Sequence, residues 1–172
     1  MTTTLFTNAH IATGEPGSTA ASTLPLQDIL VTDGVFTAFG PGLAQQYEAQ
    51  GGDLAAIEVV DLGGKLVCPP FCDTHLHLDY VFTARKPGAV NESGTLFEGI
   101  QRWSETKSDL TVDEIKQRAK IGIKKEMLHG VQLIRSHADV TDPNLTSLKA
   151  LLELKEELKD TVTLQILSLI HI

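Results

Sequence analysis

Cysteine is scarce: Cys68 and Cys72 are the only two in 172 residues. Two thiols do not make a disulfide framework, and a reducing cytoplasm is the compartment that fits. Positive charge is also in short supply. Fourteen Lys and Arg face 22 Asp and Glu, for a net charge of −8, and no basic run offsets this. Proteins that grip a phosphate backbone carry basic patches, so a nucleic-acid partner is not expected. Long apolar runs are missing as well. The longest, residues 162–172, is interrupted by Thr163, Gln165, Ser168 and His171 and is too short to cross a bilayer. The opening Met1-Thr2-Thr3-Thr4-Leu5 has neither the basic nor the apolar region of a secretory signal. No fixed-period repeat or low-complexity tract stands out. What remains is 42% hydrophobic and 21% charged, an ordinary globular mix, at a length that suits one domain or one and a fraction.

Residues 1–67 read as short strands and turns, a small all-β platform. Residues 5–12 predict a strand. Residues 28–31 and 35–39 flank Asp33-Gly34, and Gly34 can take the positive φ of a tight hairpin turn. Residues 40–53 leave room for one weak helical turn. Residues 57–62 and 65–68, either side of Gly63-Gly64, predict a second hairpin.

The pattern changes at Pro69-Pro70, which forces an extended entry and forbids a helix. The stretch Phe71-Cys72-Asp73-Thr74-His75-Leu76-His77-Leu78-Asp79 then reads as a strand with histidines at its end. A loop over residues 80–93 follows, with Pro87-Gly88 as its turn signal, and a helix from about Thr95 to Lys107. Thr111 and Glu114 have capping-box spacing. Ile115, Ala119, Gly122, Ile123 and Met127 then fall on one helical face, and Gly130 sits where a C-terminal cap glycine belongs. Residues 131–138 predict an apolar strand with Arg135 and His137 near its end. Asp142-Pro143 predicts the start of a third helix, Asp142 as cap and Pro143 in the first turn. Leu145, Leu148, Leu151, Leu152, Leu154 and Leu158 are expected on its inner side, with Lys149, Glu153 and Glu156 opposite. Residues 161–170 return to strand. Strand and helix alternate from residue 71 onward, which is the signature of an α/β fold with a parallel sheet and right-handed crossovers.

Residues i and i+2 of a strand share a side. His75 and His77 therefore offer two imidazoles to one space, with Leu76 and Leu78 on the other side. Two neutral imidazoles suit a divalent first-row metal such as zinc or iron, and Asp79 can accept a hydrogen bond behind them or anchor the loop. A His-x-His triplet also occurs on half-buried strands that bind nothing. Here it stands at the C-terminal end of a strand, where barrel active sites lie. Cys68 and Cys72, spaced C-x3-C, can be read as ligands, but small buried thiols are the expectation. His10, His129 and His171 are expected to be incidental, and Trp103 to serve packing. Ser104 and Ser136 do not sit in a nucleophile elbow. The His-x-Glu and Pro-Cys-x-x-Cys pattern of one class of zinc deaminase is absent.

The segment from Leu66-Val67-Cys68-Pro69-Pro70 through His75-Leu76-His77-Leu78-Asp79 resembles the first barrel strand of the amidohydrolase superfamily. Ser93-Gly94-Thr95-Leu96-Phe97-Glu98-Gly99-Ile100 with Arg102-Trp103, and Arg135-Ser136-His137-Ala138-Asp139-Val140, are similar to bacterial-type cytosine deaminase and its close relatives. The likeness runs to about residue 166. It implies an incomplete (β/α) TIM-type barrel of about three strands over residues 68–172, preceded by the β platform of residues 1–67. It implies one divalent metal ion, Zn or Fe, with His75 and His77 as ligands, and Thr95 and Leu96 against the substrate through backbone groups. Asp79, His137 and Asp139 are implied near the site, His137 with a structural role as much as a catalytic one. The implied reaction is hydrolysis of a carbon–nitrogen bond in a cyclic amidine by metal-activated water, and the implied partner is a nucleobase-like small molecule. Gly94-Thr95-Leu96-Phe97-Glu98-Gly99 favours the deaminase branch over dihydroorotase, hydantoinase or triazine hydrolase relatives.

In that family further histidines, a catalytic glutamate and a late aspartate come from strands beyond the third. A closed eight-unit barrel takes ~250 residues, so the chain is expected to be a truncated piece that lacks them. It is then either the front of a deaminase or a non-catalytic product that at most binds a metal. Its ending, residues 167–172, departs from the family, and His171 is not assigned to any missing ligand. An unpaired sheet edge predicts poor folding in isolation. The full-length form is expected to be a cytoplasmic homo-oligomer.

Overall fold

The structure, a computed structural model, describes residues 2–12, 24–86 and 88–169. The chain divides into two compact units, Met1–Pro69 and Pro70–Ile172.

The first unit holds β1 (Thr3–Ile11), β2 (Leu26–Thr32), β3 (Val35–Gly40), α1 (Leu43–Ala49), a 3-10 turn at Leu54–Ala56, β4 (Glu58–Asp61) and β5 (Leu66–Val67). The sheet order is β3-β2-β1-β4, with β5 also on β1. Strands β2 and β3 form the expected hairpin. Asp33 at φ 50 and Gly34 at φ 79 both lie in the left-handed region, as a two-residue turn matched to strand twist requires.

The second expected hairpin is not there. β4 and β5 do not pair with each other; both run parallel to β1, β4 along Thr4–Thr7 and β5 along His10–Ile11. Gly63 and Gly64, at φ 56 and 77, step the chain sideways instead of reversing it, opposite an irregularity at Asn8 with φ 58. The Asn8 and Thr7 carbonyls accept from Gly64 N and Leu62 N at 2.8 and 2.9 Å, so the backbone stays paired across the step. The Gly- and Gln-rich segment also exceeds expectation. It forms a seven-residue helix, α1, so this unit is not built of strands alone. The buried Asp28 carboxylate anchors the helix start, accepting from Leu43 N at 2.9 Å and from Asn8 N at 3.1 Å.

The second unit holds β6 (Phe71–Leu76), a 3-10 turn at Thr83–Arg85, α2 (Leu96–Lys107), α3 (Val112–Leu128), β7 (Val131–Asp139), α4 (Thr146–Glu157) and β8 (Thr163–Leu169). The three strands are parallel in the order β6-β7-β8. The capping box of α3 forms as predicted: Thr111 Oγ1 accepts from Glu114 N, and the Glu114 carboxylate accepts from Thr111 N at 3.0 Å. Ile115, Ala119, Gly122 and Ile123 are its buried face, and Gly130 follows at φ 85.

The start of α4 differs from the prediction. Asp142 binds Asn144 N and Thr146 N, at 2.9 and 3.0 Å, in a turn that precedes the helix, and Leu145 at φ 53 is the residue before its first turn. Its inner face is Ser147, Ala150, Leu151 and Leu154, at i, i+3, i+4 and i+7. Leu152 points outward and is half exposed. The core gathers Leu78, Ala119, Ile123, Ile134, Ala138, Leu151, Leu154 and Leu164 between the sheet and the helices α3 and α4. No helix among the described residues is long and apolar enough to cross a membrane. Pro87 and His171 lie outside the described residues; Gly88, the other half of that turn signal, has φ 77.

Candidate metal centre

Three imidazoles converge at the C-terminal end of the parallel sheet. His75 lies on β6, His77 one residue beyond its end, and His137 on β7. Each offers a ring nitrogen, and all three lie within 4.8 Å of one another. His75 Nε2 and His77 Nε2 are 3.3 Å apart. Ring centroids are 4.2 Å apart for His75–His137, 5.3 Å for His75–His77 and 5.5 Å for His77–His137, with interplanar angles of 34 to 48°.

An irregularity of β6 helps create this arrangement. From Asp73 to Leu76 the strand takes three steps, while its partner β7 takes two, from Ile134 to Ser136. The extra residue is a bulge, a device that re-aims side chains beside functional sites. Leu76 then stands opposite the buried Ser136, and His75 turns toward His137 on the opposite face.

The chain around the histidines is tightly fastened. Leu78 N donates to Ser136 Oγ at 3.0 Å. Asp79 is buried, and its Oδ2 accepts from Asp139 N at 2.9 Å. Arg118 of α3 donates to the carbonyls of Val81 and Asp79 at 3.1 and 3.2 Å. Burial pushes the Asp79 carboxyl above the usual carboxylate range, with the Asp139 amide and the His77 ring pulling it back. Burial also holds His77 below the usual imidazole pKa; Asp79 opposes that, and the neighbouring His137 and His75 reinforce it. A lowered pKa leaves the ring neutral near pH 7, which is the state that ligates a metal.

Asp139 is a junction of a different kind. Its carboxylate accepts from Trp103 Nε1, Thr141 N and Oγ1, and Lys107 Nζ, the last at 3.1 Å. Desolvation raises its pKa, but the bonds from Thr141, Trp103 and Lys107 outweigh this and hold it at about 2. Trp103, expected only to pack, also meets Tyr80 edge-on at 5.0 Å and ties α2 to the end of β7.

The other expected residues fall elsewhere. Thr95 caps α2, its Oγ1 accepting from Glu98 N at 3.3 Å, and its remaining bonds are to Ser93, Asn91 and Gly99. Leu96 is 75% exposed. Neither residue is linked to the histidines by a hydrogen bond. Cys68 and Cys72 are exposed rather than buried; β6, which carries Cys72, is the edge strand of its sheet. His129 bonds the Lys125 carbonyl, and His10 is half-buried in the first unit. Sequence reasoning placed His137 near the site but missed that it comes as close as the pair itself. The signal was available in its place at the end of an adjacent parallel strand.

The donor set fits a divalent first-row cation. Two nitrogens bound at 2.0–2.1 Å in a tetrahedral site lie roughly 3.3 Å apart, and His75 and His77 already stand at 3.3 Å. Two hollows of the surface, about 300 and 280 Å³, are lined by residues around Lys86 and Glu105 and around Gln132 and Lys159. Neither contains a histidine, so concavity alone does not mark this chemistry.

A family model described as "Amidohydrolase family" matches residues 58–156, and the chain belongs to that family, as a cytosine-deaminase-like member. Among solved structures it is similar to 5-methylcytosine deaminase from Klebsiella pneumoniae, with 38% identity and a TM-score of 0.75 over 94% of this chain and 35% of that one. Among curated proteins it is 34% identical over 113 residues to N-isopropylammelide isopropyl amidohydrolase of Pseudomonas sp. (strain ADP), covering 63% of this chain and 28% of that protein. It is 26% identical over 146 residues to pterin deaminase of Rhizobium rhizogenes (strain K84 / ATCC BAA-868), covering 83% of this chain and 31% of the relative. The chain thus spans about a third of the length of these relatives. All three are named as enzymes that act on ring compounds.

Proposed function

We propose that this chain carries the metal-binding start of a hydrolase that deaminates a nucleobase-like ring, cleaving an exocyclic carbon–nitrogen bond of a cyclic amidine. In this reading residues 68–172 open a (β/α) barrel and residues 1–67 form the β platform that precedes it in the chain. The observation that carries the proposal is the meeting of His75 and His77 ring nitrogens at 3.3 Å at the C-terminal end of a parallel sheet. That is the end at which barrel enzymes place their chemistry.

His75 and His77 would hold one divalent ion, zinc or iron. Such an ion supplies a Lewis acid and lowers the pKa of water toward neutrality. The chain's own residues do the positioning. The Ser136 hydroxyl and the Asp79 carboxylate fasten the backbone on either side of the site, through Leu78 N and Asp139 N. The Asp139 carboxylate fixes α2 through Trp103 and Lys107, and Thr95 and Leu96 at the opposite end of that helix are proposed to face the ring of the substrate.

Metal content and ammonia release test the proposal. The polypeptide carrying this sequence should retain about one equivalent of zinc or iron. It should release ammonia from cytosine or 5-methylcytosine, and lose both properties in the His75→Ala, His77→Ala double variant. A metal-free protein, or one whose metal content ignores both substitutions, would refute it. A second reading, removal of an alkylamine from an N-alkylated triazine, is favoured by the 34% identity to the ammelide enzyme. Amine release from N-isopropylammelide without ammonia release from cytosines would select it.

A further inference from the structure

His137 is the remaining member of the three-ring cluster, and its environment points to a purpose. Its ring nitrogen lies within 4.8 Å of the donor atoms of both His75 and His77. Its Nδ1 is shielded from solvent and has no hydrogen-bond partner, a costly state that in native proteins calls for a ligand, ion or water nearby. Of the acidic side chains around it, Asp139 is held by Trp103, Lys107 and Thr141, and Asp79 Oδ2 receives the Asp139 amide, while Asp79 Oδ1 is buried without a partner. The donors that lie within 4.8 Å of one another belong to the three imidazoles.

We propose that His137 is a third ligand to the ion, so that adjacent strands β6 and β7 would hold it together and the chain by itself offers three nitrogens. The inference rests on the metal-site reading above but goes beyond it, because that reading needs only His75 and His77. Three neutral imidazoles from one short segment of fold favour borderline cations such as zinc or cobalt over magnesium or calcium, and they leave the remaining positions open. The rival explanation is that His137 merely packs on His75, at a centroid distance of 4.2 Å.

Cobalt(II) separates the two. Each imidazole bound to high-spin cobalt shifts its own exchangeable N–H proton far outside the normal NMR window. The 172-residue chain loaded with cobalt(II) should show three such signals, and His137→Gln should show two. Affinity for cobalt(II) in the variant should fall roughly tenfold or more. Lost affinity alone does not decide, because residues behind a ligand have effects of that size; the signal count does. Two signals in the unsubstituted protein, unchanged in His137→Gln, would overturn the third ligand while leaving the His75 and His77 site standing. Cobalt binding that survives the His75→Ala, His77→Ala double variant undiminished would overturn both. Should His137→Gln fail to fold, the count in the unsubstituted chain still gives the answer.

Discussion

Strand β7 serves two unlike surfaces with alternate residues. Ile134, Ser136 and Ala138 are fully buried on the side that α3 and α4 cover, together with Leu151, Leu154 and Leu164. Arg135 and His137 point the other way, and both are only half-buried. On β8, Leu164 repeats the first pattern and the exposed Gln165 the second. One side is apolar, close-packed and covered. The other collects nitrogen and amide groups at the strand ends. The difference teaches that stability and chemistry need not compete for the same positions when a strand alternates, so substitutions on β7 should sort by parity.

The sharpest way to break that division is on the covered side. Leu154→Ala removes a fully buried side chain and should lower the unfolding free energy by roughly 2–5 kcal/mol, read from urea denaturation. A loss below about 0.5 kcal/mol, the scale of a surface change, would mean the helices do not pack as described. Ser136→Ala comes next. It deletes the acceptor of Leu78 N on the buried side and should cost about 1–3 kcal/mol, with faster amide exchange at Leu78; unaltered exchange there would contradict the bond. Arg135→Ala on the open side breaks only an exposed bond to Gln165 at 3.0 Å. Its effect on stability should stay within about 0.5 kcal/mol, and a larger loss would show that this face is packed after all.

The smallest effect belongs to neither side. Glu98 accepts from Ser93 N and Glu92 N at 2.6 and 3.1 Å, and bonds from Ser93 first, then Glu92, lower its pKa from 4.5 to about 2. A carboxyl whose pKa is depressed on folding contributes stability above its unfolded value and loses it as pH falls toward the folded one. The loop before α2 should therefore loosen between pH 4.5 and about 2, and Glu98→Gln should flatten that dependence. Carboxyl NMR showing an ordinary midpoint near 4.5 would remove the claim.

Local signals were legible in the sequence. The Thr111–Glu114 capping box, the Asp33-Gly34 turn and the His75/His77 spacing each depend on residues a few positions apart, and each stands as expected. Features that depend on distant partners were not. Gly63-Gly64 looks like a hairpin turn, and nothing nearby reveals that β1 claims both flanking strands. Leu152 reads as one more leucine of an apolar stripe, and only the real start of α4 turns it outward. Exposure of Cys72 follows from its strand lying at a sheet edge, which a linear pattern does not record. The approach of His137 likewise needs the β6–β7 register, bulge included.

That bulge makes the segment before His75 sensitive to length in a way it is not sensitive to identity. Exchanging Thr74 for another small residue preserves the spacing of everything downstream. Deleting one residue between Asp73 and Leu76 would let β6 and β7 pair step for step, with Leu76 still opposite Ser136, and would remove the irregularity that aims the His75 ring at His137. Insertions and deletions should thus be far rarer than replacements along these few residues, wherever the site must work.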